Sequence, residues 1–196
     1  MHTVPAFAAE ARAMLTASLS TVSYLPAPEI ADFVSCWTKE LHVPRNEFLV
    51  SPGQAEQYLY FTHHGTMRIF YPTASEEICV GFVHPGEMVC AFPLFAMGKP
   101  SEYAIQALQA SSLIAIARHE FQSCLDSSPA FARLWRFEVE RVLIGRMEHE
   151  IDLLLPEPAQ RLERLRQRSP HIFQKVPKKY LASYLRMTPE TLSRLR

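Results

Sequence analysis

Val176-Pro177-Lys178-Lys179-Tyr180-Leu181-Ala182-Ser183-Tyr184-Leu185-Arg186-Met187-Thr188-Pro189-Glu190-Thr191-Leu192-Ser193-Arg194-Leu195-Arg196 reads as two short helices on either side of Arg186-Met187-Thr188. Thr188 suits the N-cap of the second helix, and Pro189 suits its first position, where no backbone N–H is required. Leu181, Leu185, Leu192 and Leu195 face inward, and Lys178, Lys179, Glu190, Ser193, Arg194 and Arg196 face out. Short paired helices with an outward polar set on the second describe a helix-turn-helix, whose second helix enters the DNA major groove. That helix has only about two turns and is marginal in isolation, so Leu192 and Leu195 must hold it against the first.

The charge balance agrees. The 196-residue chain has no net charge, but Pro156 to Arg196 holds ten Lys/Arg against three Asp/Glu, and residues 1–155 hold ten against seventeen. A basic block on one small unit is the electrostatic footprint of phosphate contacts. Within it, 158–168 reads as a helix with Ala159, Leu162 and Leu165 inward and Arg161, Arg164, Arg166 and Arg168 largely outward.

Before this block stands a long helix. Ser128 caps it, Pro129 opens it and Pro156 stops it near Leu155. It carries two apolar rows, Phe131/Trp135/Val139/Val142 and Leu143/Met147/Ile151/Leu154. One row covers the preceding domain, and the other invites a dimer seam. Gly145 costs the helix about 1 kcal/mol relative to alanine and suits close helix approach.

Further upstream the period shortens to that of strands. Phe48–Val50, Tyr58–Phe61, Met67–Tyr71, Ile78–Val83, Met88–Ala91, Tyr103–Leu108 and Leu113–Ala117 are separated by turn residues, which predicts a β-sandwich or barrel. Ahead of them, 5–20 is an alanine-rich helix and 29–40 an amphipathic one, with Ile30, Phe33, Val34 and Trp37 in its stripe; a short helix is expected at 118–125. No apolar run is long enough to span a membrane, and no secretory signal is evident. Cys36, Cys79, Cys90 and Cys124 form no metal or disulfide pattern and read as buried thiols of a cytoplasmic protein.

This order of parts resembles the Crp/Fnr family of bacterial transcription regulators over nearly the whole chain after Pro26. The stretch from Val176 to Arg194 carries the most specific likeness. LVSPG at 49–53, YLYFTHHG at 58–65 and VHPGE at 83–87 resemble the family's cyclic-nucleotide-binding-like barrel. The resemblance implies an α+β chain: a sensory antiparallel β-barrel or jelly roll with its N-terminal helices (1–127), a dimerisation helix (128–155) and a winged-helix-type helix-turn-helix domain (156–196). It implies that Glu190 and Arg194 face base edges and that Thr188 and Thr191 lie near the DNA backbone. Lys178, Lys179, Pro189 and Ser193 complete the expected DNA-binding set. The chemistry fits, because arginine forks onto guanine and a carboxylate accepts from cytosine N4. Glu190 and Arg194 also share a face, so mutual pairing is the alternative role for both. Arg186 stands where the family commonly has glycine; either its backbone is left-handed, at a cost of roughly 1 kcal/mol, or the turn has another geometry.

The sensory site departs further. Gly86-Glu87 matches the pair that holds the ribose in cyclic-nucleotide-binding members, but Ser101-Glu102 stands where Arg-Ser should hold the phosphate. A phosphate needs a cation, and Glu102 would repel it, so cAMP in the usual mode is not expected. Phe82, Glu87, Ser101, Glu102 and Tyr103 are the expected effector pocket, for an unidentified small molecule and with no cofactor. The expectation is a dimeric regulator of double-stranded DNA, not an enzyme. One alternative is a small-molecule-binding barrel with a degenerate DNA-binding tail. A second, a metal-dependent cupin-like enzyme built on His63-His64, lacks the ligand spacing. No P-loop, Rossmann glycine pattern or nucleophile–base motif occurs.

Overall fold

The computed structural model describes residues 6–54 and 57–195. Its elements are α1 (Ala6–Ser20), α2 (Ala27–Ser35), β1 (Lys39–Val43), β2 (Phe48–Val50), β3 (Tyr58–His64), β4 (Met67–Pro72), β5 (Glu77–Val83), β6 (Met88–Val89), α3 (Phe92–Met97), β7 (Ala104–Ala107), β8 (Ser111–Ala117), α4 (Arg118–Ser127), α5 (Pro129–Leu154), α6 (Pro158–Arg168), α7 (Ile172–Lys175), α8 (Lys178–Tyr184) and α9 (Pro189–Arg194). The chain is α+β, and its strands form two four-stranded sheets, ordered β1-β8-β3-β6 and β2-β7-β4-β5, that do not close into a barrel.

The chain divides into two compact units, residues 1–69 with 82–135, and residues 70–81 with 136–196. In the first, β8 pairs antiparallel with both β1 and β3. Strand alternation explains its two cores. Tyr60, Leu113 and Ala115 point to one side, where they meet Val43, Met67, Val89, Ile105 and Ala107. Their neighbours Leu59, Phe61, Ile114 and Ile116 point to the other, against Leu15 of α1, Phe33 of α2, Phe121 of α4 and Phe131 of α5. One sheet buried on both faces accounts for the near-continuous apolar run of β8. Gly65 links β3 to β4 at φ 95°, and a Cβ there would fall 2.1 Å from Ser111 Oγ. Only glycine fits.

Several expectations shift at element ends. The helix expected over 29–40 stops at Ser35, because Lys39 and Glu40 pair with Ala115 and Ile114 as part of β1. Trp37 lies beyond the helix yet is fully buried. Ser128 caps α5 as expected, accepting the Phe131 N–H at 3.2 Å, and its hydroxyl donates to the Glu29 carboxylate. Cys79 is buried, whereas Cys36, Cys90 and Cys124 are half-buried rather than buried.

The second unit contains most of α5, the helices α6 to α9, and the tip of the β4–β5 hairpin. Between Pro156 and Leu195 the described residues form helices and connecting turns, with no strand of their own as a wing. Leu162, Leu165, Ile172, Val176, Leu181, Ala182, Leu185 and Leu192 are buried. Ala159, expected inward, is exposed.

Candidate nucleic-acid interface

The expected helix-turn-helix is α8, a turn, and α9. Thr188 has extended backbone and its hydroxyl accepts the Thr191 N–H at 3.1 Å, so the sequence-read N-cap is formed. At the end of α8, the Arg186 N–H donates to Ser183 O at 3.1 Å and the Met187 N–H to Ala182 O at 3.0 Å. These two bonds define a Schellman turn, with Arg186 at the left-handed position that glycine normally fills. Its φ is 51°.

This turn orients α9. Leu192 is buried, while Thr188, Pro189, Glu190, Ser193 and Arg194 are exposed and Thr191 is half-buried. Lys178 and Lys179 are exposed in the first turn of α8, and the Lys179 ammonium stands 4.7 Å from the Tyr180 ring centre. All eight residues of the expected DNA-binding set therefore belong to one small helical pair. The Glu190 carboxyl is held below its usual range by its own backbone N–H and by the Thr188 hydroxyl, with a lesser pull from Arg194. Among the described residues no ion pair joins Glu190 to Arg194.

The arginines of α6 are a correction. Read as largely outward, three of them are half-buried and find acceptors within the unit. Arg164 Nε and Arg168 Nη2 lie 2.5 and 2.7 Å from the two carboxylate oxygens of Asp152, whose side chain is 0% exposed. Arg161 donates from Nε to Leu155 O at 2.8 Å, and from Nη1 to the carbonyls of Leu185 and Arg186, both at 3.1 Å. Helical periodicity placed them opposite Leu162 and Leu165 but gave no sign of these acceptors. Among the described residues from Pro158 onward, the exposed cations are Arg166, Lys175, Lys178, Lys179, Arg186 and Arg194.

A further set of contacts escaped the sequence altogether. The Ser183 hydroxyl accepts the Cys79 N–H at 3.0 Å and donates to Glu77 O at 3.1 Å. It thereby satisfies the open edge of β5, which ends its sheet. Arg186 Nη1 pairs with Glu76 Oε1 at 3.2 Å, and Arg146 donates to Val80 O. The hairpin tip is thus bound to the first helix of the pair and to its turn. The His149 ring, buried on α5, stacks on Tyr184 of α8. Burial and the nearby Arg146 and Arg168 push the His149 pKa down to about 4, against an opposing pull from Asp152.

α5 presents a different face outward. The first apolar row is core at Phe131 and Trp135, but Val142 is exposed. Phe137, Ile144 and Ile151, and likewise Met147 and Leu154, repeat every seven residues and are at least half exposed. This is the a/d spacing of a coiled-coil seam.

The residues expected to bind an effector lie in the other unit. The Glu87 carboxylate accepts the His84 N–H at 2.8 Å and so closes its own turn. Ser101 is buried; its hydroxyl accepts the Tyr103 N–H and donates to Tyr103 O, both at 3.1 Å. Phe82 is half-buried, and Glu102 and Tyr103 are exposed. The structure brings Ser101 and Tyr103 together through these bonds. A groove of about 360 Å³ lies elsewhere, between α1 and α2, lined by Thr16, Ser20, Ile30 and Val34 among others. Among the described residues no group of three or more His, Cys, Asp and Glu side chains could hold a metal ion, and no helix is long and apolar enough to cross a membrane.

Residues 40–128 match the family model described as cyclic nucleotide-binding domain. No curated protein matches the sequence. Among solved structures, the chain is similar to a CooA variant from Carboxydothermus hydrogenoformans, with TM-score 0.70, 17% identity, and coverage of 92% of this chain and 81% of that one. It is similar to CLP of Xanthomonas campestris, described as a c-di-GMP-responsive global regulator, with TM-score 0.66, 18% identity, and coverage of 87% and 89%. It is similar to FixK2 from Bradyrhizobium japonicum, with TM-score 0.66, 18% identity, and coverage of 80% and 81%. The chain shares the fold of these structures, and its residues 40–128 match the cyclic nucleotide-binding domain family.

Proposed function

We propose that this chain is a cytoplasmic, DNA-binding transcription regulator of the Crp/Fnr type. One observation carries the reading: α9 buries Leu192 and leaves Glu190, Ser193 and Arg194 exposed on a capped helix. Arg194 would fork onto guanine O6 and N7, and Glu190 would accept from cytosine N4. Thr188, Pro189 and Thr191 would lie by the backbone, and Lys178 and Lys179 would meet phosphates at the start of α8. The exposed apolar row on α5 would pair two chains, placing two copies of α9 in successive major grooves about 34 Å apart. In this reading 1–127 senses, 128–155 joins the subunits and 156–196 reads DNA.

The effector would bind near Phe82, Glu87, Ser101, Glu102 and Tyr103. A cyclic phosphate in the family's usual mode is disfavoured, since the Ser101 hydroxyl is committed to Tyr103 and Glu102 adds negative charge.

The test is selection of binding sites from a random-sequence DNA pool, followed by gel-shift titration. Enrichment of a two-fold-symmetric site is expected. Arg194→Ala should weaken that site by about 1–3 kcal/mol and relax one base position. Lys178→Ala should weaken all sequences alike. A chain that enriches no sequence, even at low salt, is not a regulator of this kind.

A further inference from the structure

Arg161 sits between two helix ends. Its Nε donates to Leu155 O at 2.8 Å and its Nη2 to Pro156 O at 3.4 Å, the carbonyls that follow α5. Its Nη1 donates to Leu185 O and Arg186 O, both at 3.1 Å, the carbonyls that follow α8. Carbonyls at a helix C-terminus lack partners and carry the negative end of the helix dipole. Two such ends converge on one guanidinium. The planar fork of arginine reaches both sides at once, which the single ammonium of lysine does not.

One of the four acceptors is the carbonyl of Arg186, the left-handed residue of the turn between α8 and α9. A non-glycine residue in this conformation persists only when its surroundings hold it. Arg161 grips its backbone, and Glu76 pairs with its side chain.

We infer that Arg161 is a positioning residue for DNA recognition: it makes no phosphate contact, and instead ties the end of α5 to the turn that sets the direction of α9. The inference rests on the DNA-binding reading for its functional consequence, but its physical content is the clamp. The basic charge at this position serves the protein's own carbonyls.

The test uses full-length protein carrying Arg161→Lys or Arg161→Gln, with the DNA fragment that the unaltered chain selects and a scrambled fragment. A positioning fork predicts that both variants lose roughly ten-fold in affinity for the selected fragment, a typical cost for a lost charged hydrogen-bond set. Affinity for the scrambled fragment and the salt dependence should stay unchanged in both. Rescue by lysine, with a salt slope that falls by about 0.9 only in the glutamine variant, would make Arg161 a phosphate contact and overturn the inference. A second readout needs no DNA. Amide exchange at Arg186 and Met187 should speed up at least about ten-fold in Arg161→Lys, because their bonds belong to the clamped turn. Unchanged exchange overturns the clamp even if DNA binding is normal. If the unaltered chain selects no DNA while exchange responds as expected, the clamp stands and the DNA-binding reading falls.

Discussion

His149 and Tyr184 lie ring on ring, 3.8 Å between centres and within 3° of parallel. The stack joins α5 to α8 and keeps the imidazole out of water. Burial pushes the His149 pKa from 6.5 down to about 4, and burial raises that of Tyr184. Between these two His149 values the unfolded chain binds a proton that the folded chain refuses. The linkage sign follows: stability is complete above the unfolded pKa near 6.5 and falls as pH drops towards 4. Allowing for partial solvent screening, the loss amounts to roughly 1–2 kcal/mol. Urea titrations at pH 7 and pH 4.5 on the unaltered chain and His149→Phe should show a smaller decline in the variant. Equal declines would mean that His149 does not titrate with folding.

How much of this unit could be read beforehand depends on the distance between cause and effect along the chain. Thr188, Pro189 and the leucines of α8 and α9 are local signals, and the helix pair was legible from them. The resemblance singled out Arg186, because glycine is the usual occupant there, but left open whether the turn is left-handed or has another geometry. Arg161, Arg164 and Arg168 were misread because a helical period identifies the apolar face and says nothing about what the remaining side chains find. Their partners, Asp152 and the carbonyls of Leu185 and Arg186, lie twelve to twenty-five positions away. β1 was missed for another reason: Lys39-Glu40-Leu41-His42-Val43 is mostly polar, sits at a sheet end and buries only Val43, so it carries no apolar alternation to read.

The Ser183 hydroxyl offers a second prediction. It replaces a neighbouring strand at Glu77 and Cys79, accepting one backbone bond and donating the other. Alanine there removes both bonds. A net cost of about 1–2 kcal/mol is expected from two bonds at a half-buried site. Amide exchange at Cys79 should rise together with that cost. A change confined to helix α8, with Cys79 unaffected, would show that the hairpin does not depend on this contact.

Ile144 and Ile151 are 59% and 50% exposed on α5, so a charge on either costs the isolated chain little. A paired α5 changes this, because each would insert into the facing helix. The double change Ile144→Glu and Ile151→Glu should convert a dimer to a monomer in sedimentation equilibrium, raising the dissociation constant by at least about a hundred-fold, or 2.7 kcal/mol. The helix content should be retained. Gly145 is the internal control. A Cβ there meets nothing within 4 Å, and the residue lies one step off the apolar seam. Gly145→Ala should therefore stabilise the helix by about 1 kcal/mol and leave dimerisation unchanged. Loss of dimer in Gly145→Ala would place the seam on another face.

Arg186 separates two opposing effects that a single substitution would confound. Its left-handed backbone costs roughly 1–2 kcal/mol relative to glycine. Its ion pair with Glu76, about half exposed on both sides, contributes between 0 and about 1 kcal/mol. Arg186→Ala removes the pair and keeps the strain. Arg186→Gly removes the pair and the strain, but gives the unfolded chain about 0.4–1 kcal/mol more entropy to lose. The glycine variant should therefore be more stable than the alanine variant by roughly 0.5–1 kcal/mol, and close to the unaltered chain. Glu76→Gln isolates the pair and should cost no more than the exposed-pair value. Paired denaturation curves for the three variants decide the matter, since only the alanine–glycine difference reports the backbone. An alanine variant as stable as the glycine one would mean that the turn relaxes out of the left-handed region once the guanidinium is gone.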